Sequence, residues 1–546
     1  MIIKGWKVFY QIHDITYICL MKLKKLAIII TLNILIFTFN SGCLSNKEVS
    51  FNINSKSILD YNGFPSLKLN YTSNDAIIVH FIDPDEKIIF SDSFYPSQSE
   101  IIISLASYRN TSKPGFYILY VYDTAENPIY NETFYFKGSN LSIFSVDEYW
   151  WEEKEKDSKY SLIGITLNVM NNGDLPIYPY SLDLSIENKS NSADIIPIVI
   201  LPGETGYVNC SLFISDLNTY EKNCHISLFD QQGETLKDFT FQTIPQQNVP
   251  TYHFDWNFNG IKEINIPYPL FLLDYYQKHE RLNTNDYAAY VFDPYDDLFI
   301  TLLTNSITAN VEDMDNISKI NLIASFIQNL EYGEDDPFNS SYEYPLFPIE
   351  LLNNISCDCE DRSILLGNML MLMGYNISLI SLPKHMAIGV HLDQNLSDYE
   401  CYIDKYYYLE TVKENMVIGE VPTLYQKISE EAIVYPLIPR SIISHEWKNA
   451  DGIIFDEKLD FVKLKLFIEN IGNALAEKIT ISAAFYSSDN TEYYLEKRDI
   501  SSLLPGEKKQ VFLKVKAPEY VSAILKTKLF LDDVLIEEKQ SVNIFT

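Results

Sequence analysis

Along most of the chain, short runs of β-branched and aromatic residues alternate with turns rich in Pro, Gly, Asn and Asp. Residues 76–82 and 116–122 are two such runs, and Asp-Pro, Lys-Pro-Gly and Asn-Pro sequences lie around them. Runs of this length, bounded by such turns, are typical of the strands of a β-sandwich. We therefore predict a β-sandwich over residues 50–140.

The same kind of pattern occurs twice more, and the two copies follow one plan. Each copy has a strand-like run, an Asn- and Gly-containing turn, the tetrapeptide Leu-Pro-Gly-Glu and a further strand-like run. The landmarks are 162–169, 171–174 and 201–204 in the first copy, and 461–468, 469–473, 504–507 and 510–515 in the second. This internal repeat resembles the immunoglobulin-like, cell-adhesion-related domains of prokaryotic surface proteins. We predict two such sandwiches, over residues 141–245 and 455–546.

The pattern changes between the two copies. Apolar residues recur at helical spacing over residues 317–330, and a second apolar helix is expected over 358–373, closed by Gly374. Strand-like runs follow at 377–382, 386–392 and 401–409. Helices followed by strands predict an α+β domain, which we place at residues 252–450.

Three residues in this region form a chemically consistent set. Cys359 lies at the predicted start of a helix, His385 at the start of a strand and Glu410 at the end of the next strand. A helix N-terminus and a nearby imidazolium both stabilise a thiolate, so we expect a lowered pKa for Cys359. The expected roles are nucleophile for Cys359, general base for His385 and orienting acid for Glu410.

The motifs that carry these residues resemble the transglutaminase-like superfamily, in the branch found in archaeal and bacterial exported proteins. They are Asp358-Cys-Glu-Asp361, Pro383-Lys-His-Met-Ala387 and Tyr406-Tyr-Tyr-Leu-Glu-Thr411, together with residues 326–332 and 344–351. The resemblance implies a papain-like core, catalytic Cys359, His385 and Glu410, and an acyl-enzyme that water or an amine resolves. Many relatives carry Asp where this chain has Glu410. The expected fold is thus multidomain, with an α+β, papain-like, transglutaminase-like domain flanked by all-β immunoglobulin-like sandwiches.

Two neighbours of the set have other interpretations. Asp404 shares strand parity with Glu410 and is the reserve third member. His391 lies on the same strand face as His385 but about 20 Å away at strand rise, so one site does not use both, and we interpret His391 as structural.

Metal binding is an alternative use of the cysteines in this region. Cys357, Cys359, His385 and Cys401 are the ligand types that zinc prefers. The Cys-x-Cys spacing is tighter than the two to four intervening residues of common structural zinc sites. We therefore predict no metal and no other cofactor.

Composition and charge limit the class of protein. With 546 residues, 47% hydrophobic and 21% charged, the chain is expected to form about four folded domains. Acidic residues outnumber basic ones 74 to 42, and the net charge of −32 repels a phosphate backbone, so we expect no nucleic-acid partner. Cys210 and Cys224 lie in neighbouring strand-like runs, where a disulfide and two unpaired core cysteines fit equally well.

The N-terminus has the order of a secretory leader. Lys22, Lys24 and Lys25 precede an apolar run over residues 26–39, and a Ser-Gly-Cys sequence ending at Cys43 resembles a lipobox. The run is shorter than the ~20 residues of a spanning helix, which favours a leader over residues 1–43 above an uncleaved anchor. We expect export, a lipid on Cys43 and attachment to the outer cell surface. Met21 is an alternative start to Met1, because the first twenty residues lack a signal pattern.

These features predict an exported thiol enzyme that acts on amide or peptide bonds of a protein or peptide substrate. The competing hypothesis is a surface adhesion or structural protein in which the transglutaminase-like fold is a scaffold without activity. The intact set of Cys359, His385 and Glu410 favours the enzyme.

Overall fold

The computed structural model describes residues 48–542 apart from residues 154–158, 218–221, 244–248, 310, 312, 334–343, 354–355 and 456–457. The predicted leader, with Met21 and Cys43, lies outside the described residues. No helix in the described part is long and apolar enough to cross a membrane.

The first module is a β-sandwich, as its turns and strand-like runs predict. Its two antiparallel sheets have the orders β1-β2-β5 and β4-β3-β6-β7. Side chains of β-strands point alternately to the two faces, and Ile77, Val79 and Phe81 of β3 are accordingly buried between the sheets. The strands are β1 (Phe51–Tyr61), β2 (Phe64–Ser73), β3 (Ile77–Ile82), β4 (Ile88–Phe94), β5 (Glu100–Ser104), β6 (Gly115–Asp123) and β7 (Pro128–Phe136).

The second module has one sheet of order β12-β9-β8 and another of order β11-β10-β13-β14. Both sheets contribute to one apolar core, which includes Leu167, Leu184 and Val208. Its strands are β8 (Leu141–Glu153), β9 (Lys159–Asn171), β10 (Ser181–Ile186), β11 (Lys189–Asp194), β12 (Thr205–Leu217), β13 (Asn223–Phe229) and β14 (Thr235–Gln242).

The helices and a small sheet follow the second module. A hairpin, β15 (Thr251–Asn257) and β16 (Ile261–Pro267), leads into this region. Its helices are α1 (Leu270–Lys278), α2 (Ala288–Val291), α3 (Asp297–Ile307), α4 (Asn316–Gln328), α5 (Pro348–Leu351) and α6 (Cys359–Leu372). An antiparallel sheet of order β19-β18-β17-β20 packs with them around one core, from strands β17 (Ile377–Leu382), β18 (His385–His391), β19 (Tyr406–Leu409) and β20 (Ile433–Pro436).

The last module repeats the topology of the second. Its sheets have the orders β21-β22-β25 and β24-β23-β26-β27, which correspond strand for strand to those of the second module. It begins at Ile443, ahead of the predicted start at residue 455, because β21 pairs with β22 along its length. Its strands are β21 (Ile443–Phe455), β22 (Lys458–Asn470), β23 (Ile479–Ser487), β24 (Glu492–Ile500), β25 (Lys508–Lys516), β26 (Ala523–Leu531) and β27 (Val534–Gln540).

The predicted repeat landmarks make the same contacts in both copies. Buried Asn171 donates through Nδ2 to the carbonyls of Leu175 and Ile200, and its own carbonyl accepts from Gly203. Asn470 makes the corresponding bonds to Ala474, Leu503 and Gly506. In each module the asparagine therefore ties its turn to the Leu-Pro-Gly-Glu turn.

Candidate active site

Helix α6 places Cys359 at its first position. Asp358 is the N-cap, and its side chain accepts a bond from the Asp361 N–H while Asp361 bonds back to the Asp358 N–H, which is a reciprocal capping box. The helix is apolar and buried along most of its length, and Gly374 ends it with a φ of +84°. The sequence therefore holds the Cys359 thiol at the N-terminus of a fixed, buried helix.

His385 and Glu410 meet across neighbouring strands. The β17–β18 hairpin turns at Pro383 and Lys384, so that His385 is the first residue of β18, and Glu410 directly follows β19. His385 Nε2 lies 3.3 Å from Glu410 Oε2 and 3.1 Å from the Tyr408 hydroxyl. The structure thus brings two of the three predicted side chains into hydrogen-bonding contact.

Tyr408 completes the contacts of the imidazole and fixes its tautomer. Its hydroxyl donates to Glu410 Oε2 at 2.8 Å, and burial together with the Glu410 charge raises the pKa of Tyr408. Because the hydroxyl proton is given to Glu410, His385 Nε2 faces only acceptor oxygens and carries the proton in the neutral ring. The second ring nitrogen, Nδ1, is then the one with a free lone pair.

Glu410 is held as a carboxylate. Its Oε1 accepts bonds from the backbone N–H groups of Thr411 at 3.0 Å and Val412 at 2.9 Å. Burial raises the pKa of Glu410, but the hydrogen bond and charge of His385, with the Val412 N–H and the Tyr408 hydroxyl, outweigh it and lower the pKa to about 2. The carboxylate is therefore ionised at neutral pH and able to stabilise a positive imidazolium.

Arg362 joins the helix to the segment that carries Glu410. This arginine is fully buried, one turn along α6 from Cys359, and donates to the carbonyls of Leu330, Thr411 and Val412. The same two residues, Thr411 and Val412, hold the Glu410 carboxylate through their N–H groups. The arginine thus fixes the distance between helix α6 and the segment that follows Glu410.

The Cys359 thiol does not have the lowered pKa that the sequence predicts. It donates to Glu360 Oε2 at 3.2 Å, and burial, with the charge and hydrogen bond of Glu360, raises the pKa of Cys359, against a smaller lowering by the Met386 backbone. Among the hydrogen bonds of the described residues, none joins Cys359 to His385. The expectation of a lowered pKa is therefore wrong for this arrangement, because burial and an adjacent carboxylate outweigh the helix N-terminus.

Two further contacts nevertheless place Cys359 and His385 in one site. The backbone N–H that acts on the Cys359 sulfur belongs to Met386, the residue directly after His385. Tyr425 stacks on the His385 ring at 4.7 Å and 7°, and its pKa is raised by burial and then by the charges of Glu410 and Cys359. The thiol therefore lies beside the peptide that follows the imidazole, with Tyr425 covering the ring.

Asp404 and His391 both lie away from the contact of His385 with Glu410. Asp404 is exposed and has a φ of 44°, in a turn ahead of β19, so the predicted strand over residues 401–409 is shortened, and the acid in contact with His385 is Glu410. His391 lies at the far end of β18, against the Tyr406 ring. Both residues are therefore outside the site.

The remaining cysteines have separate environments. Cys357 donates to the Glu331 carbonyl, Cys401 is exposed, and no group of three or more His, Cys, Asp or Glu suited to a metal occurs within the described ranges. Cys210 and Cys224 are free and buried, and burial raises the pKa of each to about 12. Of the two sequence interpretations of that pair, the structure has the unpaired core cysteines.

Sequence reasoning did not find Tyr408 or Arg362. Tyr408 had a signal in the sequence, because it lies two residues before Glu410 and so faces the same side of the extended chain. Arg362 had a weaker signal, as the basic residue of a helix whose second half is mostly apolar. A buried arginine needs partners, so its position inside α6 pointed to a nearby cluster of acceptors.

No family model matches the chain, and no curated protein matches it. Among solved structures, a two-domain fibronectin type-III segment of chicken tenascin has a TM-score of 0.17 and 9% identity, and the match covers 35% of this chain and 98% of that one. A red sea bream transglutaminase has a TM-score of 0.17 and 9% identity, with 71% and 80% covered. The YadV chaperone has a TM-score of 0.12 and 14% identity, with 36% and 98% covered. At these TM-scores the likenesses carry no argument about activity.

Proposed function

We propose that the chain is a transglutaminase-like thiol enzyme with a papain-like catalytic region, and that Cys359 takes an acyl group from an amide or peptide bond. The observation that carries the proposal is the contact of His385 Nε2 with Glu410 and Tyr408. That contact leaves Nδ1 as the basic atom of the ring, next to the peptide against which the Cys359 sulfur lies. A base oriented by an ionised acid beside a thiol is the arrangement that nucleophilic acyl transfer requires.

The raised pKa of Cys359 determines how the proposed reaction begins. A neutral thiol is a weak nucleophile, so His385 Nδ1 removes its proton as the sulfur attacks the carbonyl carbon. Glu410 stabilises the imidazolium, and the backbone N–H of Cys359 at the helix N-terminus contributes to binding the oxyanion. The imidazolium then gives its proton to the leaving amine, and a thioester remains on Cys359 until water or a second amine takes the acyl group.

Turnover of an activated ester tests this proposal without knowledge of the substrate. The full chain is expected to hydrolyse p-nitrophenyl acetate, and added glycine ethyl ester is expected to speed release if an amine resolves the acyl-enzyme. Cys359→Ala is expected to abolish turnover, and His385→Ala to reduce it about 10²- to 10⁴-fold, the usual contribution of a general base. Cys401→Ala is the matched control, because that thiol is exposed and lies outside the site. Equal rates in all four proteins would reject the enzyme.

The second candidate is a surface adhesion or structural protein that uses this fold as a scaffold. Its support is the Cys359 proton, which is directed at Glu360, with a raised thiol pKa. The two candidates differ in what Cys359→Ala does. It leaves a scaffold protein functionally unchanged, whereas it removes all acyl transfer from an enzyme.

We also propose that the mature protein is exported, carries a lipid on Cys43 and acts on a protein or peptide at the outer cell surface. The support is the order of basic, apolar and small residues over residues 22–43. Mass spectrometry of the membrane fraction is expected to find a lipidated N-terminus at Cys43. An intact Met1 or Met21 terminus in an intracellular pool would contradict export.

A further inference from the structure

A large cleft separates the first module from the last. It has a volume of about 970 Å³ and lies between residues of β1, β4 and β5 in the first module and residues of β21, β22, β24 and β25 in the last. One side is closed by the ion pair of Lys463 with Asp92, and the other by the hydrogen bonds between Ser104 and Gln510. None of its lining residues belongs to the site around Cys359.

Lys465 lies between these two closures without a counter-charge. Its ammonium is 3.7 Å from the centre of the Tyr61 ring and 5.7 Å from that of Phe512, and it takes part in no ion pair of the described residues. The nearest acidic influence is Glu100, whose carboxylate pairs with Lys68. A half-buried cation without a carboxylate is costly, and a bound anion would remove that cost.

The protonation of Lys465 agrees with this position. Burial lowers the pKa of Lys465 to about 8, and the charge of Glu100 opposes the shift. The amine is therefore still mainly protonated at neutral pH and available to pair with an anion.

The lining around Lys465 contains further charged groups and aromatic surface. Lys463 and Lys514 lie directly opposite each other in the β22–β25 register, where Lys463 pairs with Asp92 and the Lys514 ammonium lies 3.7 Å from the centre of the Phe461 ring. Arg498 and Lys509 also line the cleft. The acidic lining residues are Asp92, Glu100, Asp451 and Asp499, of which Asp92 pairs with Lys463 and Glu100 with Lys68. The aromatic lining residues are Tyr61, Phe90, Phe94 and Phe512.

We propose that this cleft binds a small organic anion with an aromatic body, whose carboxylate pairs with Lys465 and whose ring lies against Tyr61 and Phe512. A ring with a carboxylate matches both features at once, because apolar surface supplies affinity and a few polar groups fix orientation. The site is independent of the chemistry proposed at Cys359.

Binding of a matched pair of ligands to the full chain tests this site. Naphthalene-2-carboxylate is expected to bind saturably. Naphthalene-2-carboxamide has the same shape without the charge, and its affinity is expected to be about tenfold lower, which is the contribution of one charge-assisted contact. Lys465→Met is expected to remove the difference between the two ligands, and Lys465→Arg to keep it. Lys497→Met is the control, because that exposed lysine of the same module does not line the cleft. The proposal is overturned if the wild-type chain binds neither ligand, binds both equally, or keeps its preference in Lys465→Met.

Discussion

At the scale of single residues, the proton on Cys359 has two competing acceptors. Glu360 follows Cys359 in the sequence and accepts the hydrogen bond of the thiol in this structure, whereas His385 must receive the proton during the proposed reaction. A carboxylate next to a thiol disfavours the thiolate, and burial of the sulfur acts in the same direction. In this structure Cys359 is therefore a neutral thiol, while Glu410 and Tyr408 already orient the His385 ring.

Replacement of Glu360 by Gln tests this competition. The variant removes a negative charge beside the sulfur, so the pKa of Cys359 is expected to fall and its alkylation by iodoacetamide to begin at lower pH than in the wild type. Mass spectrometry of the Cys359 peptide across a pH series measures the change.

Glu414→Gln is the matched control, because this carboxylate is exposed on the segment after Glu410. It is expected to leave the alkylation profile of Cys359 unchanged. An unchanged profile in Glu360→Gln would show that burial alone sets the thiol pKa.

The contact of His385 with Glu410 could be predicted from the sequence, but the environment of Cys359 could not. The positions of Cys359, His385 and Glu410 follow from motif order, and two of them are in contact. The direction of the Glu360 side chain depends on a rotamer and on the depth of the sulfur, neither of which a one-dimensional pattern contains. For this reason the predicted lowering of the Cys359 pKa was wrong.

At the scale of helices and strands, the position of α6 relative to β18 and β19 decides whether the site exists. Apolar periodicity predicted α4 and α6 to within two residues at each end, and predicted β17 with its observed bounds. The strand expected from residue 401 failed because Asp404 and Lys405 have φ values of 44° and 68°, which break a pattern that looks continuous in sequence.

Arg362 is expected to be the main connection between these elements. Arg362→Met removes the donors to the Leu330, Thr411 and Val412 carbonyls and leaves those groups buried without a partner. The free energy of local opening of α6 is expected to fall by about 2 kcal/mol, which corresponds to roughly 30-fold faster amide hydrogen exchange. Exchange measured by mass spectrometry over residues 359–372 provides the readout.

Arg498→Met is the comparison for this experiment, because Arg498 is near the surface and has one long bond of 3.4 Å to the Phe512 carbonyl. In Arg498→Met, the rate of amide hydrogen exchange over α6 is expected to match that of the wild type. If Arg362→Met did so too, the arginine would not couple the helix to the Glu410 segment.

At the scale of the whole molecule, a helical region with the candidate site lies in sequence between two modules of identical sheet topology. The repeat was visible in the sequence because the Asn-Gly and Leu-Pro-Gly-Glu turns recur at matching places, and the structure joins them through Asn171 and Asn470. The boundary of the last module was misplaced because the turn-like sequence Asn449-Ala-Asp-Gly452 lies inside β21, where it pairs with β22. Topology inferred from turns alone therefore omitted an edge strand.

The last module is expected to fold alone when it contains that strand. A fragment of residues 443–546 should give a β-rich circular dichroism spectrum and a cooperative unfolding transition, because β21 covers the edge of β22 along its length. A fragment of residues 456–546 should unfold at lower denaturant concentration or aggregate, since it loses that pairing and the buried Ile443. Identical midpoints for both fragments would contradict this assignment of β21.

If His385 and Glu410 activate Cys359 for acyl transfer, an acyl-enzyme on Cys359 can be trapped during the first turnover. The full chain is mixed with p-nitrophenyl acetate, quenched in acid within the first turnover, and mapped by mass spectrometry. One acetyl group per chain is expected, on Cys359, and this acetylation should be strongly reduced in His385→Ala, partly reduced in Glu410→Gln and unchanged in Cys401→Ala. Acetyl groups spread over Cys401 and surface lysines, in amounts that do not change in His385→Ala, would contradict it.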